Sequence, residues 1–246
     1  IYNGGNGEKR RLRFMKTLLI IPAYNEARNI AGVAQAVAEA GYDFIVINDG
    51  STDDTLEVCR EHDLPVLDLK QNLGIGGAVQ AGHKYALENG YDVDVQFDGD
   101  GQHDIRYVPP LLDLIEQGAD LAIGSRFVER TEGFRSSFMR RIGIRWLSGC
   151  ICLFSGRRIT DPTSGFRACS KRSISLFCRN YPTDYPEPES IVTAIGNGLS
   201  VQEAPVIMHE RVGGASSIRA LGSIYYMVKV SLAIAIMSLS RSKGMK

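Results

Sequence analysis

From Thr17 onward the chain alternates short apolar, β-branched runs with longer stretches in which apolar residues recur at helical spacing. Residues 18–21, 44–47, 66–69, 93–97 and 121–123 are such runs, bounded by Gly, Asp or Pro, and they predict strands. Between them, residues 27–40 set Ile30, Val33, Ala34 and Val37 on one helical face and stop at Gly41. Residues 55–62 and 77–88 follow the same pattern, the latter ended by Asn89-Gly90. Strand, helix, strand, helix predicts an α/β fold: a Rossmann-like, mostly parallel sheet with helices on both faces. Such sheets bind ligands at the carboxyl ends of their strands. Polar clusters stand at those ends: Asn25-Glu26, Asp49-Gly50-Ser51, and the stretch from Asp98 to Asp104. They predict one cleft.

After Ser125 the alternation breaks. Between Arg126 and Arg172 there are eleven Arg or Lys against three acids, net +8. Phe134, Phe138, Trp146, Leu147, Ile151 and Phe154 are interleaved with them. The stretch suits an anionic membrane surface, or equally a solvated helix packed on the core. Residues 221–239 are apolar except for Ser223, Lys229, Ser231 and Ser238. That is near the length of a bilayer span, but a mid-helix Lys costs roughly 2.5–3.5 kcal/mol on insertion scales. A membrane-touching or docking helix over residues 218–246 is therefore expected rather than a spanning one, behind a main domain of residues 15–217. Residues 1–14, rich in Gly and charge, are read as an appended or disordered extension outside the fold.

With 246 residues, 44% of them hydrophobic, the chain can bury a core, which excludes disorder and a disulfide-stapled miniprotein. Lys+Arg and Asp+Glu balance at 28 each, which removes the basic excess expected of a nucleic-acid partner. Five cysteines in no CxxC spacing argue against zinc and disulfide frameworks and point to a reducing cytoplasm.

The densest chemistry is Asp98-Gly99-Asp100-Gly101-Gln102-His103-Asp104. Asp92, Asp94, Asp98, Asp100 and Asp104 crowd thirteen residues without a Lys or Arg. Crowded carboxylates repel unless a cation sits among them, and hard oxygen donors suit Mg²⁺ or Mn²⁺, with phosphates completing the shell. An acidic Asx-turn loop is the plainer alternative. Strand alternation predicts that Asp98 and Asp100 point the same way. Ser51, Thr52 or Asp53 can cap the following helix, which leaves Asp49 available to a base or ribose, and Tyr24 offers a stacking face. Gly74-Ile75-Gly76-Gly77 fails as a dinucleotide fingerprint because Val79 stands where glycine is required, and a Walker lysine motif is absent.

Six motifs occur in order: Ile21-Pro22-Ala23-Tyr24-Asn25-Glu26, Asn48-Asp49-Gly50-Ser51-Thr52-Asp53, Asn72-Leu73-Gly74, Asp98-Gly99-Asp100-Gly101-Gln102-His103, Gly124-Ser125-Arg126-Phe127 and Asp161-Pro162-Thr163-Ser164-Gly165-Phe166-Arg167-Ala168. Together they resemble family 2 glycosyltransferases of the dolichol-phosphate mannosyltransferase type, from Met15 to about Ser217. The resemblance implies a GT-A fold, a UDP- or GDP-linked sugar donor, Mg²⁺ or Mn²⁺, and inversion at the anomeric carbon. It implies a polyprenyl phosphate acceptor and a peripheral place on the inner face of the cell membrane, and leaves a homo-oligomer open. It puts Pro22, Tyr24, Glu26, Asp49 and Asp98 around the nucleotide, and Asp98, Asp100 and Gln102 around metal and diphosphate. Arg211 and Ser217 match a loop closing on the donor phosphates. Arg140, Arg141 and Arg145 resemble arginines that hold the acceptor phosphate. Where those relatives carry Gln-x-Glu, this chain has Glu187-Pro188-Glu189, so Glu187 or Glu189 is either a catalytic carboxylate or a helix-start acid favoured by the dipole.

Three rival readings stand beside this one. Transfer to a hydroxyl of a lipid-linked or cell-surface glycan would need a carboxylate base. A nucleotidyltransferase would use similar metal chemistry, but would carry a Gly-rich basic loop after the first strand, which residues 22–26 lack. A non-catalytic nucleotide-sugar binding module fits poorly with the complete acidic cluster.

Overall fold

The computed structural model describes residues 15–128, 138–183, 185–208 and 227–236. Strands β1 (Thr17–Ala23), β2 (Asp43–Asp49), β3 (Val66–Leu69), β4 (Val93–Gln96), β5 (Leu121–Ser125), β6 (Arg167–Ser170) and β7 (Val201–Pro205) form one sheet in the order β3-β2-β1-β4-β6-β5-β7. The neighbours from β3 to β4 are parallel, and so are β5 and β7. Only β6 runs against its neighbours, β4 and β5. The helices are α1 (Ile30–Glu39), α2 (Thr55–Glu61), α3 (Gly74–Glu88), α4 (Val108–Glu116), α5 (Phe138–Ser155), α6 (Lys171–Arg179) and α7 (Pro186–Gly196).

All seven residues of β1 are buried, because the strand has neighbours on both edges and helices on both faces. That is why it reads as an unbroken apolar run rather than an alternating one. Its side chains still alternate between two cores: Leu18 and Ile20 pack into one cluster with Ala78 of α3, Ile174 of α6 and Ile191 of α7, while Leu19 and Ile21 join Val33 of α1 and Leu111 of α4.

The predicted elements up to β5 are present, with shifted ends: α1 begins at Ile30 and α3 at Gly74. Beyond β5 the reading missed α6, α7 and both remaining strands. β6 is four residues long and opens on a buried arginine, so it carries no apolar signature. Its antiparallel register sets Arg167 opposite Gln96, and this brings residues 161–166 to the carboxyl end of β4.

The basic stretch does contain a helix, α5, which buries Ile144, Leu147 and Ile151. Residues 227–236 form a helical segment against it. Val230 and Ile234 enter the same core, the Trp146 indole N–H donates to Ser231 Oγ (3.0 Å), and the Lys229 ammonium lies 5.1 Å from the Tyr185 ring centroid. Lys229 is therefore turned onto the protein body. No helix among the described residues is long and apolar enough to cross a membrane.

Candidate active site

The turns after β1 and β2 form one braced unit. Asn25 has φ 58°, a left-handed conformation that asparagine tolerates, and its Oδ1 accepts the N–H groups of Thr52 (2.8 Å) and Asp53 (3.3 Å). In return Ser51 Oγ accepts the Asn25 N–H (3.0 Å), Thr55 Oγ1 that of Glu26 (2.9 Å), and Asp53 Oδ2 that of Ala27 (3.3 Å). Of the three predicted capping side chains, Asp53 takes up the helix start, accepting from the Thr55 N–H (3.0 Å) and from its hydroxyl. Glu26 accepts from Asn29 Nδ2 (2.8 Å), and the Tyr24 ring stands half exposed at the rim.

Asp49 is more occupied than the sequence suggested. Its carboxylate is buried and Oδ1 accepts the Leu73 N–H at 2.7 Å. Burial raises its pKa, opposed by the N–H groups of Leu73 and Gly74. Gly50, at φ +65°, makes the approach possible, since a Cβ there would lie 2.7 Å from the Asn72 nitrogen. The second and third motifs thus meet in space, and Asp49 joins them.

β4 ends at Gln96, so residues 97–104 form a loop and strand alternation does not set where Asp98 and Asp100 point. Asp98 is half-buried and Asp100 buried. Asp98 Oδ1 accepts from Gln96 Nε2 (3.2 Å), and its backbone N–H donates to His103 Nδ1 (3.0 Å). That contact puts the ring proton on Nε2, 3.5 Å from Asp98 Oδ2. Asp100 Oδ1 accepts the Gln102 N–H (3.0 Å), so the two metal candidates share one turn. Arg106, the nearest basic residue in sequence, is held by Asp104 through Nη2 (2.6 Å).

The far wall of the cleft is residues 161–167. Asp161, fully buried, takes a two-pronged contact from Arg126: Nε at 2.7 Å and Nη2 at 2.8 Å. Glu203 of β7 accepts the backbone N–H groups of Thr160 (2.8 Å) and Asp161 (2.9 Å). So anchored, the loop passes close to Asp98: a Cβ on Gly165 would lie 3.0 Å from Gln96 Nε2 and 3.2 Å from Asp98 Oδ2. Phe166 stacks on His103 with ring centroids 4.7 Å apart.

In the first turn of α7, Glu187 lies within electrostatic reach of this cluster. Burial raises its pKa, the Arg167 charge lowers it, and Asp98 pushes it up again. Glu189 sits in the same turn. Arg141 and Arg145 are exposed on α5. Arg211, Ser217 and the Arg140 side chain lie outside the described residues. Sequence reasoning passed over Arg126, Asp161, Arg167 and Glu203 as site residues. Asp161 and Arg167 stand in the last motif, which was the available signal; Glu203 had none.

Pro22, Tyr24, Glu26, Asp49, Asp98 and Asp100 thus come from three neighbouring strand ends, those of β1, β2 and β4. The family model for Glycosyl transferase family 2 matches residues 18–175, and the chain belongs to that family and is a glycosyltransferase. It is 32% identical over 211 residues to the UDP-N-acetylglucosamine--dolichyl-phosphate N-acetylglucosaminyltransferase of Methanococcus voltae, covering 76% of this chain and 83% of that protein. It is 32% identical over 228 residues to the polyprenol monophosphomannose synthase of Mycolicibacterium smegmatis, covering 88% of this chain and 86% of that one. In fold it resembles glucosyl-3-phosphoglycerate synthase from Mycobacterium tuberculosis, solved with Mn²⁺, uridine diphosphate and phosphoglyceric acid. That match has a TM-score of 0.67 at 19% identity and covers 93% of this chain and 78% of that one. The GT-A-like architecture expected from the motifs is present.

Proposed function

We propose that this glycosyltransferase moves a sugar from a UDP- or GDP-linked donor to a polyprenyl phosphate, with inversion, at the cytoplasmic face of a membrane. The observation that carries the reading is the meeting of an acidic β4 loop with the braced β1 and β2 turns in one cleft, beside a helix that exposes arginines. Asp98 and Asp100 are hard oxygen donors within one turn, a set that fits Mg²⁺ or Mn²⁺. Such an ion, when bound, supplies charge neutralisation for a departing diphosphate. Tyr24 offers the base a stacking face, and Asp49 keeps the Asn72-Leu73-Gly74 backbone beside it. Two relatives named for dolichyl or polyprenol phosphates support this acceptor class. A phosphate monoester is largely dianionic near neutral pH, its second pKa being about 6, so its oxygen attacks without a base and needs arginines to hold it. Arg141 and Arg145, exposed on α5, are the candidates for that role.

The membrane part of the reading rests on the same helix. Trp146 and Leu153 of α5 are 56% and 78% exposed, and Val228 and Leu232 of the adjoining segment are 63% and 59% exposed. Apolar side chains on two packed helices, beside exposed arginines, suit an anionic bilayer. The protein should co-sediment with phosphatidylglycerol vesicles and release at high salt. Trp146→Asp with Leu153→Asp should abolish binding, and equal recovery in the supernatant with and without vesicles would remove the membrane from the reading.

A second reading is favoured by Glu187, a carboxyl whose proton affinity is raised by burial beside Asp98: a base for a hydroxyl acceptor. One assay separates the two. Polyprenyl phosphate, polyprenyl alcohol and an oligosaccharide are offered side by side with UDP- and GDP-sugars and Mn²⁺. Transfer to the phosphate alone supports the first reading. Transfer to the oligosaccharide alone, lost in Glu187→Gln, establishes the second.

A further inference from the structure

We propose that Arg167 is a positioning residue of the transfer site, a buried guanidinium that ties the 161–166 loop to α7 and so sets the geometry between Asp98 and the first turn of α7. The proposal rests on the glycosyltransferase reading above and extends it to a buried residue behind the cleft wall.

Arg167 is 3% exposed. Its Nε donates to the Ser164 carbonyl (2.6 Å), Nη2 to the Pro162 carbonyl (3.3 Å) and Nη1 to Ser190 Oγ (2.7 Å). Ser190 Oγ in turn donates to the carbonyl of Glu187 (3.1 Å). One continuous chain of hydrogen bonds therefore joins the loop to the backbone of the residue that carries the site's coupled carboxyl. The other end of the loop is equally constrained: Gly165 passes against Gln96 and Asp98, and Phe166 stacks on His103, the acceptor of the Asp98 N–H. The loop thus meets Asp98 directly at Gly165 and through His103 at Phe166, and the Glu187 backbone is hung from the same guanidinium through Ser190.

The residue type follows from this task. All three bonds go to neutral oxygens in different directions, which a planar fork with fixed N–H vectors can satisfy and a single ammonium cannot. A buried cation bonded only to neutral acceptors needs opposite charge nearby, and Glu187 is within electrostatic reach, its proton affinity lowered by Arg167. Loop 161–166 carries its own anchors in Arg126–Asp161 and Glu203, so Arg167 is not required to keep the loop folded. Its distinct contribution is the link to α7.

The test uses the full chain and the variants Arg167→Lys, Ser190→Ala and the two combined. Binding of Mn²⁺ with UDP or GDP, whichever the wild-type protein takes, is measured by calorimetry, and turnover is measured on polyprenyl phosphate. Arg167→Lys should melt within a few degrees of wild type and bind the metal nucleotide within threefold, yet lose thirtyfold or more in kcat. Ser190→Ala should lose about tenfold in the same parameter. The double variant should be no worse than Arg167→Lys, because both remove one link. A folded Arg167→Lys with wild-type kcat overturns the proposal. So do strictly additive losses, or a loss in nucleotide affinity equal to that in kcat. If the wild-type protein binds the metal nucleotide but transfers nothing to polyprenyl phosphate, the acceptor reading fails. Arg167 is then judged by the same split in donor hydrolysis.

Discussion

Between Pro22 and Asp104 the cleft is built from strand ends whose next few residues form the site, and its braces are short polar or acidic side chains accepting nearby backbone N–H groups: Asn25 with Thr52 and Asp53, Ser51 with Asn25, Asp49 with Leu73. The opposite wall, from Arg126 to Glu203, is held by long charged side chains: Arg126 on the buried Asp161, Glu203 on the Thr160 and Asp161 backbone, the buried Arg167 on Ser190. The difference lies in what each wall must hold. The β1–β4 side reuses a periodic βα unit whose helix starts already offer N–H groups, so short polar side chains suffice. The other wall interrupts the parallel pattern with an antiparallel strand and has no such repeat. Long, charged side chains span the irregular distances there, and desolvation makes each of them indispensable to its partner.

The contrast is open to direct attack. The largest effect belongs to the acidic loop: Asp100→Asn should lower transfer by about a thousandfold, roughly 4 kcal/mol of transition-state stabilisation, with an unchanged melting curve. Full activity in excess EDTA would remove the metal from the site. Next, Asp161→Ala leaves Arg126 without its buried partner and should cost about 3–5 kcal/mol in urea unfolding, whereas Ser51→Ala should cost only about 0.5–1.5 kcal/mol. Equal losses would erase the distinction between the two walls.

A smaller effect is expected on the acceptor side. Arg145→Ala should reduce kcat/KM for polyprenyl phosphate about tenfold, near 1.4 kcal/mol, with donor KM unchanged, and Arg141→Ala provides the comparison. Glu189→Gln should be milder than either.

The smallest effect is a pH dependence of stability. Burial raises the Glu187 pKa in the folded chain above its ordinary 4.5. Between the two values the folded state holds more proton than the unfolded one, so stability falls as pH rises through that window. Glu187→Gln removes the fall, and its melting temperature should gain on wild type as pH rises from the ordinary 4.5. A constant difference over that rise would show that Glu187 titrates alike in both states.

Apart from α4, which the reading missed, residues 17–125 were legible in the sequence because each βα unit there writes its own punctuation: a β-branched run, a polar turn, then a helical stripe. The cleft was legible for the same reason, since parallel strands put consecutive turns on one edge. Even there the loop after β4 departed from the alternation expected of a strand, because pairing stops at Gln96. Residues 221–239 read as apolar all round, and the described part explains why: Val230 and Ile234 meet the core while Val228 and Leu232 stay exposed.

The sequence by itself determined the class of fold, the family and the acidic loop, because local spacing and short motifs are properties of neighbouring residues. Only the tertiary structure decided that Glu187 comes within electrostatic reach of Asp98 and Arg167, that Asp49 is tied to Leu73, and that Arg167 bridges a loop to α7. Those facts depend on β6 entering the sheet against its neighbours and on residues 23 or more positions apart meeting in a dry interior. There an unpaired polar group is costly, so long-range packing, and not propensity, selects each partner.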